Sequence, residues 1–231
     1  MKARIVIVTG AFGALGRVVA ETLETGGARV VRVDAAPELP PFLRDRPQDG
    51  LIQAGVDLTD EAATQAMATR VVALEGAIDG LVNIAGGFRW ETVSAGDAAT
   101  WDRMHALNLK TALNTCMACL PHLLARPEGR IVNIGAAAAA KAGAGMGAYA
   151  ASKSAVLRLT EALADETKER GLTVNAVLPG IIDTPANRAE MPGADASRWV
   201  SPQALADVVA FLLSDGARAI TGAGIPVTGR L

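Results

Sequence analysis

Arg4-Ile5-Val6-Ile7-Val8-Thr9-Gly10-Ala11-Phe12-Gly13-Ala14-Leu15-Gly16 is the stretch on which the reading of the fold turns. Ile5 to Val8 is an unbroken β-branched run of the kind found in strands buried on both faces. A glycine turn follows at once, and then a helical pattern through Val18, Val19 and Leu23. Strand, glycine turn and helix in this order bring backbone N–H groups and the positive end of a helix to the point where a pyrophosphate binds. Gly10, Gly13 and Gly16 fall at a three-residue step rather than in the G-x-G-x-x-G spacing, so this stretch alone is equally compatible with a turn that holds no ligand.

The next strand resolves the ambiguity. Ala28 to Val33 reads as a second strand and ends at Asp34, 18 residues past Gly16. A carboxylate at the end of that strand accepts both ribose hydroxyls of an adenosine and repels a 2′-phosphate, which favours NAD(H) while leaving NADP(H) open. Arg17 and Arg32 are nearby cations that soften the preference.

Further strands are expected at Leu51–Val56, Ile78–Ile84, Arg130–Ile134, Leu172–Leu178 and Ala223–Val227, alternating with helical patterns. Pro37, Pro40, Pro41 and Pro47 mark an irregular surface segment before the third strand. That strand ends at Asp57-Leu58-Thr59, with Thr59 or Asp60 placed to cap a helix running to Leu74. Asp57 is placed either to accept from an adenine amino group or simply to form a turn. The fourth strand closes in Asn83-Ile84-Ala85-Gly86-Gly87, where small residues let a cofactor lie against the backbone. Trp101–Leu124 is expected as one long helix, in which Asn108 reads most simply as an exposed polar residue. A loop of some twenty residues, Ile181–Val200, is long enough to be a substrate lid or binding loop. Seven strands alternating with helices imply a doubly wound parallel α/β sheet of the Rossmann type, in a single domain spanning 1–231.

Tyr149-Ala150-Ala151-Ser152-Lys153 is the candidate for the chemistry, although the bare spacing by itself reads more simply as a surface tyrosine and lysine on an ordinary helix. Tyr149 is the only tyrosine in the chain. Helical residues four apart share a face, so the Lys153 ammonium is expected beside the Tyr149 hydroxyl, pulling a phenol pKa of about 10 downward. A phenol tuned in this way serves as an acid/base near neutral pH.

Composition excludes several other classes. A net charge of −2, spread without blocks, provides no basic stripe for nucleic acid. No apolar stretch reaches the ~18 residues that span a bilayer, and no signal-peptide pattern opens the chain, so a cytoplasmic protein acting on a small molecule is expected. Cys116, Cys119 and His122 share a helix face, but they lack a second ligand cluster and read as packing rather than a metal site.

As a set, the Thr9–Gly16 turn, Asp34, Asn83-Ile84-Ala85-Gly86, Asn108, Tyr149-x-x-x-Lys153 and Pro179-Gly180-x-x-x-Thr184 make nearly the whole chain resemble the short-chain dehydrogenase/reductase family. The resemblance implies that the dinucleotide lies against Gly10, Phe12, Gly13, Ala14, Leu15 and Gly16, then Asp34, Asp57 and Leu58. It would also touch Asn83, Ala85 and Gly86, and finally Pro179, Gly180 and Ile182, with Thr184 at the nicotinamide carboxamide. Tyr149 would be the acid/base, Lys153 would lower its pKa and hold the nicotinamide ribose, and Asn108 would anchor a relay water. Homodimers or homotetramers, paired through the helices at 101–124 and 149–170, are implied as well.

One departure stands out. The family's serine, 13 residues before the tyrosine, is here Ala136, which cannot hold or polarise a substrate oxygen. This departure leaves open a dinucleotide-binding scaffold that has lost catalysis. Together with Gly13-Ala14-Leu15-Gly16, Phe88 after Ala85-Gly86-Gly87, and the 183–199 loop, it is similar to dihydropteridine reductases, whose conjugated imine substrate needs less polarisation. Ala136, Phe88, Trp90 and Trp199 would then surround the substrate. Asn83, Asn108 and Asn175 fit ketoacyl- and alcohol-acting members better, so subgroup likeness does not fix a substrate.

Overall fold

A computed structural model describes residues 4–44 and 51–230, so Pro47 lies outside the described residues. Seven parallel strands form one sheet: β1 (Ile5–Thr9), β2 (Arg29–Val33), β3 (Ile52–Gln53), β4 (Gly80–Asn83), β5 (Arg130–Ile134), β6 (Thr173–Pro179) and β7 (Gly224–Val227). Their order is β3-β2-β1-β4-β5-β6-β7. Successive strands proceed outward from β1 in one direction and from β4 in the other. The crevice between the carboxyl ends of β1 and β4 is therefore the switch point where ligands bind in open α/β sheets.

The helices are α1 (Ala14–Thr25), α2 (Pro41–Arg44), α3 (Glu61–Glu75), α4 (Ala98–Met104), α5 (Thr111–Leu124), α6 (Gly147–Thr167), α7 (Pro185–Glu190) and α8 (Pro202–Leu213). Alternation along β1 shows how they are layered. Ile5 and Ile7 pack with Met67 and Val71 of α3, Cys116 and Leu123 of α5, and Leu163 of α6. Val6 and Val8 face the other way, against Leu15, Val19 and Leu23 of α1 and Leu205, Val209 and Leu212 of α8. All five β1 residues are buried, as the continuous apolar run implies.

Chain punctuation follows from local chemistry. Asp60, not Thr59, caps α3 by accepting from Ala63 N. Gly171 has φ +75 and ends the extension of α6 through a turn of 3₁₀ helix at Lys168–Arg170, where a side chain would be strained.

Three expectations need correction. β3 is two residues long, because Gly55 at φ +71 turns the chain away from the ladder. The expected long helix 101–124 begins earlier, at Ala98, and carries a π-helical turn at His105–Lys110. The loop 181–200 has secondary structure of its own. Thr184 caps α7 and Pro185 opens it, and a 3₁₀ turn follows at Ala196–Arg198.

Candidate active site

The carboxyl edge of the sheet opens into a cleft of about 1500 Å³. Gly10, Phe12, Gly13, Ala14, Leu15 and Gly16 line one end of it, at the start of α1. Gly10 sits at φ +63, and a Cβ there would lie 2.8 Å from Ala85 N, so β1 and β4 approach each other only because the residue is glycine. A Cβ on Gly16 would meet Gly10 O at 2.1 Å, which forces the turn against the helix. Gly13 caps α1 without any side-chain hydrogen bond, and the first turn carries no acidic residue. The opening N–H groups of α1 thus face the cleft with neither a cap nor a competing anion, a fit for a pyrophosphate.

Asp34, at the end of β2, lines the same cleft. Its Oδ2 accepts from Phe12 N and its Oδ1 from Ala36 N, each at 3.0 Å. A carboxylate has about four lone-pair sites, so capacity remains for a ribose diol. The two cations expected to soften its selectivity are occupied elsewhere. Arg32 is buried and ion-paired with Glu24, while Arg17 pairs with Glu21 and lies 4.6 Å over the Phe42 ring. Asp57 and Leu58 also line the cleft. Asp57 accepts from both the hydroxyl and the N–H of Thr59, which hold its carboxyl below the usual range. The turn-forming role is therefore realised.

Tyr149 is the third residue of α6 and faces the middle of the cleft, with the edge of Phe88 against its ring (centroids 5.0 Å apart, interplanar angle 82°). Lys153 lies one turn on, but its ammonium does not bond the phenol. It is buried and donates to Ile134 O at 2.8 Å. Burial pushes Lys153 down to about 8 and Tyr149 up to about 12. The expected downward pull on Tyr149 is thus reversed in the protein alone, where desolvation of the phenolate outweighs the neighbouring amine.

Asn108 also departs from expectation. It is buried, at the centre of the π turn. Its Nδ2 donates to Gly87 O and to Ser152 Oγ at 3.0 Å, and its Oδ1 accepts from Gly87 N at 2.9 Å. Ser152 in turn donates to Tyr149 O. Asn108 does not line the cleft. It fastens the Gly86-Gly87 backbone to the helix that carries Tyr149, and a Cβ on Gly86 would clash with its Oδ1 at 2.5 Å.

Ala85, Gly86, Pro179, Gly180, Ile182 and Thr184 line the cleft as expected. Asn83 does not. Its side chain points into the sheet's α5 face, bonding Asn133 Oδ1 at 2.9 Å and accepting from Thr115 Oγ1 at 2.6 Å, because alternate strand residues face opposite ways. Asn133 is consumed by the same network through Thr160, so it does not replace the absent serine. Ala136, Phe88 and Trp90 line the cleft, whereas Trp199 is buried behind it, only 8% exposed. Cys116 and Cys119 are core residues, and burial raises both thiols, Cys116 to about 12.

Several residues escaped the sequence reading. Thr9 accepts from Ile84 N and Ala85 N, pinning the fourth-strand turn to the glycine turn. Ser152 was recognisable from its place on the Tyr149–Lys153 helix. Glu190 and Met191 fall within the 181–200 segment expected as a lid but are not individually picked out as cleft residues, and Met146 carries no local pattern that would place it there.

Residues 4–194 match the family model described as short chain dehydrogenase. The chain is 32% identical over 246 residues to 2-(S)-hydroxypropyl-CoM dehydrogenase 3 of Xanthobacter autotrophicus, covering 99% of this chain and 96% of that one. It is also 32% identical over 238 residues to the 3-oxoacyl-[acyl-carrier-protein] reductase FabG of Escherichia coli, covering 98% and 96%. A solved structure described as ribose-5-phosphate isomerase from Brucella melitensis 16M superposes with a TM-score of 0.89 at 31% identity, covering 99% and 92%. A doubly wound dinucleotide-type fold with a tyrosine and a lysine at its switch point defines an oxidoreductase class typically dependent on NAD(P). The chain belongs to the short-chain dehydrogenase/reductase family.

Proposed function

We propose that the protein is an NAD(H)-dependent reductase in which Tyr149 delivers the proton, acting on a carbonyl or, more readily, on a conjugated imine of the dihydropterin type. The observation that carries this reading is the placement of Tyr149. It faces the same cleft as the uncapped start of α1 and the Asp34 carboxylate, and burial keeps its phenol protonated. The dinucleotide, when bound, supplies the hydride. Asp34 takes the adenosine ribose, the Gly10–Gly16 turn takes the pyrophosphate, and Thr184 the carboxamide end. A phenol with a pKa of about 12 holds its proton at every working pH, which favours the direction in which Tyr149 is an acid. Lys153 stands one helical turn away to pair with the phenolate left after transfer.

Ala136 decides between substrate types. No serine lines the cleft among the described residues, so an isolated ketone would lack one of its usual oxygen donors. Loss of such a donor costs on the order of a hundredfold in rate. A conjugated acceptor has less need of it, and the exposed Phe88 and Trp90 rings provide surfaces for a flat molecule. The segment 181–200 acts as the lid. Backbone bonds from Val200 N to Ile181 O and from Asp183 N to Val200 O tie its two ends, confining movement to α7 and the turn beyond. Exposed Met117 on α5 is consistent with a twofold mate, giving a homodimer or homotetramer. A monomeric mass at micromolar concentration would count against that arrangement.

The test is steady-state NADH oxidation by the wild type and Tyr149→Phe, against a quinonoid dihydropterin and a panel of ketones. Turnover that vanishes in Tyr149→Phe supports the reading, and preference for the dihydropterin supports the substrate class. Wild-type rates in the variant would overturn the role of Tyr149. Tight NADH binding with no turnover on any substrate would leave a dinucleotide-binding scaffold instead.

A further inference from the structure

The substrate end of the cleft is apolar, walled by Phe88, Trp90, Leu107, Met146 and Met191 with Ala136 at its base. Among the described residues, four charged side chains line the cleft: Asp34, Asp57, Lys153 and Glu190. Asp34, directly after β2, and Asp57, in the turn before α3, are fixed by backbone donors. Lys153 is only 5% exposed and spends a hydrogen bond on Ile134 O. Glu190 is different. It is exposed, and among the described residues its carboxylate makes no hydrogen bond or ion pair.

Glu190 is the last residue of α7, and Thr184 is the cap of that helix. Six residues at ~1.5 Å rise put Glu190 about 9 Å along the helix axis from Thr184, and both residues line the cleft. The neighbouring cation cannot offset it, because Arg188 grips Asp183 with Nε at 2.5 Å and Nη2 at 2.9 Å. No other lysine or arginine lines the cleft among the described residues.

We infer that this cleft admits uncharged or cationic apolar substrates, and that Glu190 is the specificity residue that turns anionic ones away. The chemistry of the inference rests on the oxidoreductase reading, but the charge preference is a property of binding and can be read without turnover. A carboxylate or sulfonate entering the apolar end would leave water with only the buried Lys153 ammonium, already bonded to Ile134 O, as a counter-charge. It would also meet a like charge on α7, an effect screened only in part at the mouth of a cleft. A neutral molecule meets neither cost, and one carrying N–H donors or a positive charge gains a partner in the Glu190 carboxylate.

The experiment compares ethyl acetoacetate with acetoacetate, which share a ketone and differ in charge, for the wild type, Glu190→Gln and Glu190→Lys at low ionic strength. The lysine variant is expected to fold, since Glu190 is exposed and a cation at a helix C-terminus is favourable. The wild type should prefer the ester in kcat/KM. The ester-to-acid ratio should fall about fivefold in Glu190→Gln and at least tenfold in Glu190→Lys, with added salt narrowing the difference. Equal use of both probes by the wild type, or an unchanged ratio in Glu190→Lys, would overturn the inference. If neither probe is reduced, the ketone part of the functional reading fails. Saturation-transfer NMR of the two probes on NAD-loaded protein then decides the inference separately: a wild-type preference for the ester that reverses in Glu190→Lys supports it, and equal contacts for both probes sink it.

Discussion

Replacing Asp34 tests how the protein selects its cofactor, and it can be read before any substrate is known. The Asp34 carboxylate is half-buried and held by two backbone donors, Phe12 N and Ala36 N, each at 3.0 Å. In Asp34→Asn one of those donors faces an amide NH₂ instead of an oxygen, and the residue loses its charge. Charge-assisted bonds to a ribose diol contribute roughly 1.5–3 kcal/mol, so NADH binding should weaken by about that amount. A 2′-phosphate carries about −1.5 to −2 charges, and removing a carboxylate ~5 Å away in a partly exposed site relieves about 2 kcal/mol of repulsion. The two effects act in the same direction on the ratio. Together they give about 4 kcal/mol, or roughly a thousandfold fall in the NADH-over-NADPH preference. Fluorescence titration of each reduced dinucleotide against the wild type, Asp34→Asn and Asp34→Ser measures it, with thermal melting to confirm that the variants are folded. Wild-type protein that binds NADPH as tightly as NADH, or a ratio that moves less than threefold in both variants, would refute the reasoning.

Two further outcomes follow from the tyrosine's surroundings. Lys153 has its pKa lowered to about 8, against about 10.4 in the unfolded chain, so between those values the unfolded state holds more protons and stability rises with pH. The contribution is present above the unfolded value and lost as pH falls to about 8. Lys153→Met removes it, so the stability difference between wild type and variant, measured by urea unfolding of cofactor-free protein at pH 7.5, 8.5 and 9.5, should shift by about 2 kcal/mol in favour of the wild type as the pH rises across that window. A pH-independent difference would contradict the burial argument. Ala136→Ser restores a hydroxyl to the cleft wall beside the alanine turn, and turnover of simple ketones should rise tenfold or more with little change in NADH affinity. Unchanged ketone kinetics would mean that the wall does not face the reacting oxygen.

Much of the scaffold was legible because its elements depend on short-range chemistry. The β1 run, the glycine step and the carboxylate at the end of β2 each bear directly on local geometry, and the cleft residues they name are the ones that line it. What escaped the sequence reading depends on contacts between distant segments. Asn108 reads as a misfit in a helix until Gly87, 21 residues earlier, supplies a backbone donor and acceptor for its amide. Asn83 belongs to a motif whose next residues line the cleft, yet strand alternation turns its side chain toward Thr115 and Asn133. Trp199 stands in a lid-like segment, but the Ile182–Val200 bridge pulls its end of the segment inward. Glu190 lies in the segment expected as a lid, but which residues of that segment line the cleft depends on how α7 packs, which its local sequence does not encode.

The same distinction explains the inverted pKa of Tyr149. Spacing establishes that tyrosine and lysine share a helix face, which is a statement about neighbours. Whether the lysine then acidifies the phenol depends on what else the face meets. Here it meets Ile134 O, which takes the ammonium, and the Phe88 ring, which covers the phenol. In the protein alone the pair is therefore poised as a protonated phenol beside an amine that is half neutral near pH 8. Under the proposed function, a site in that state would give up its proton only when a stronger base develops against it, as at a substrate atom receiving hydride. The phenolate so formed then restores the charge on Lys153 that burial had weakened. If Tyr149 is the proton donor proposed above, the burial that makes it a poor resting base favours its acting as an acid, and Ala136 in place of a serine favours acceptors that develop basicity without help.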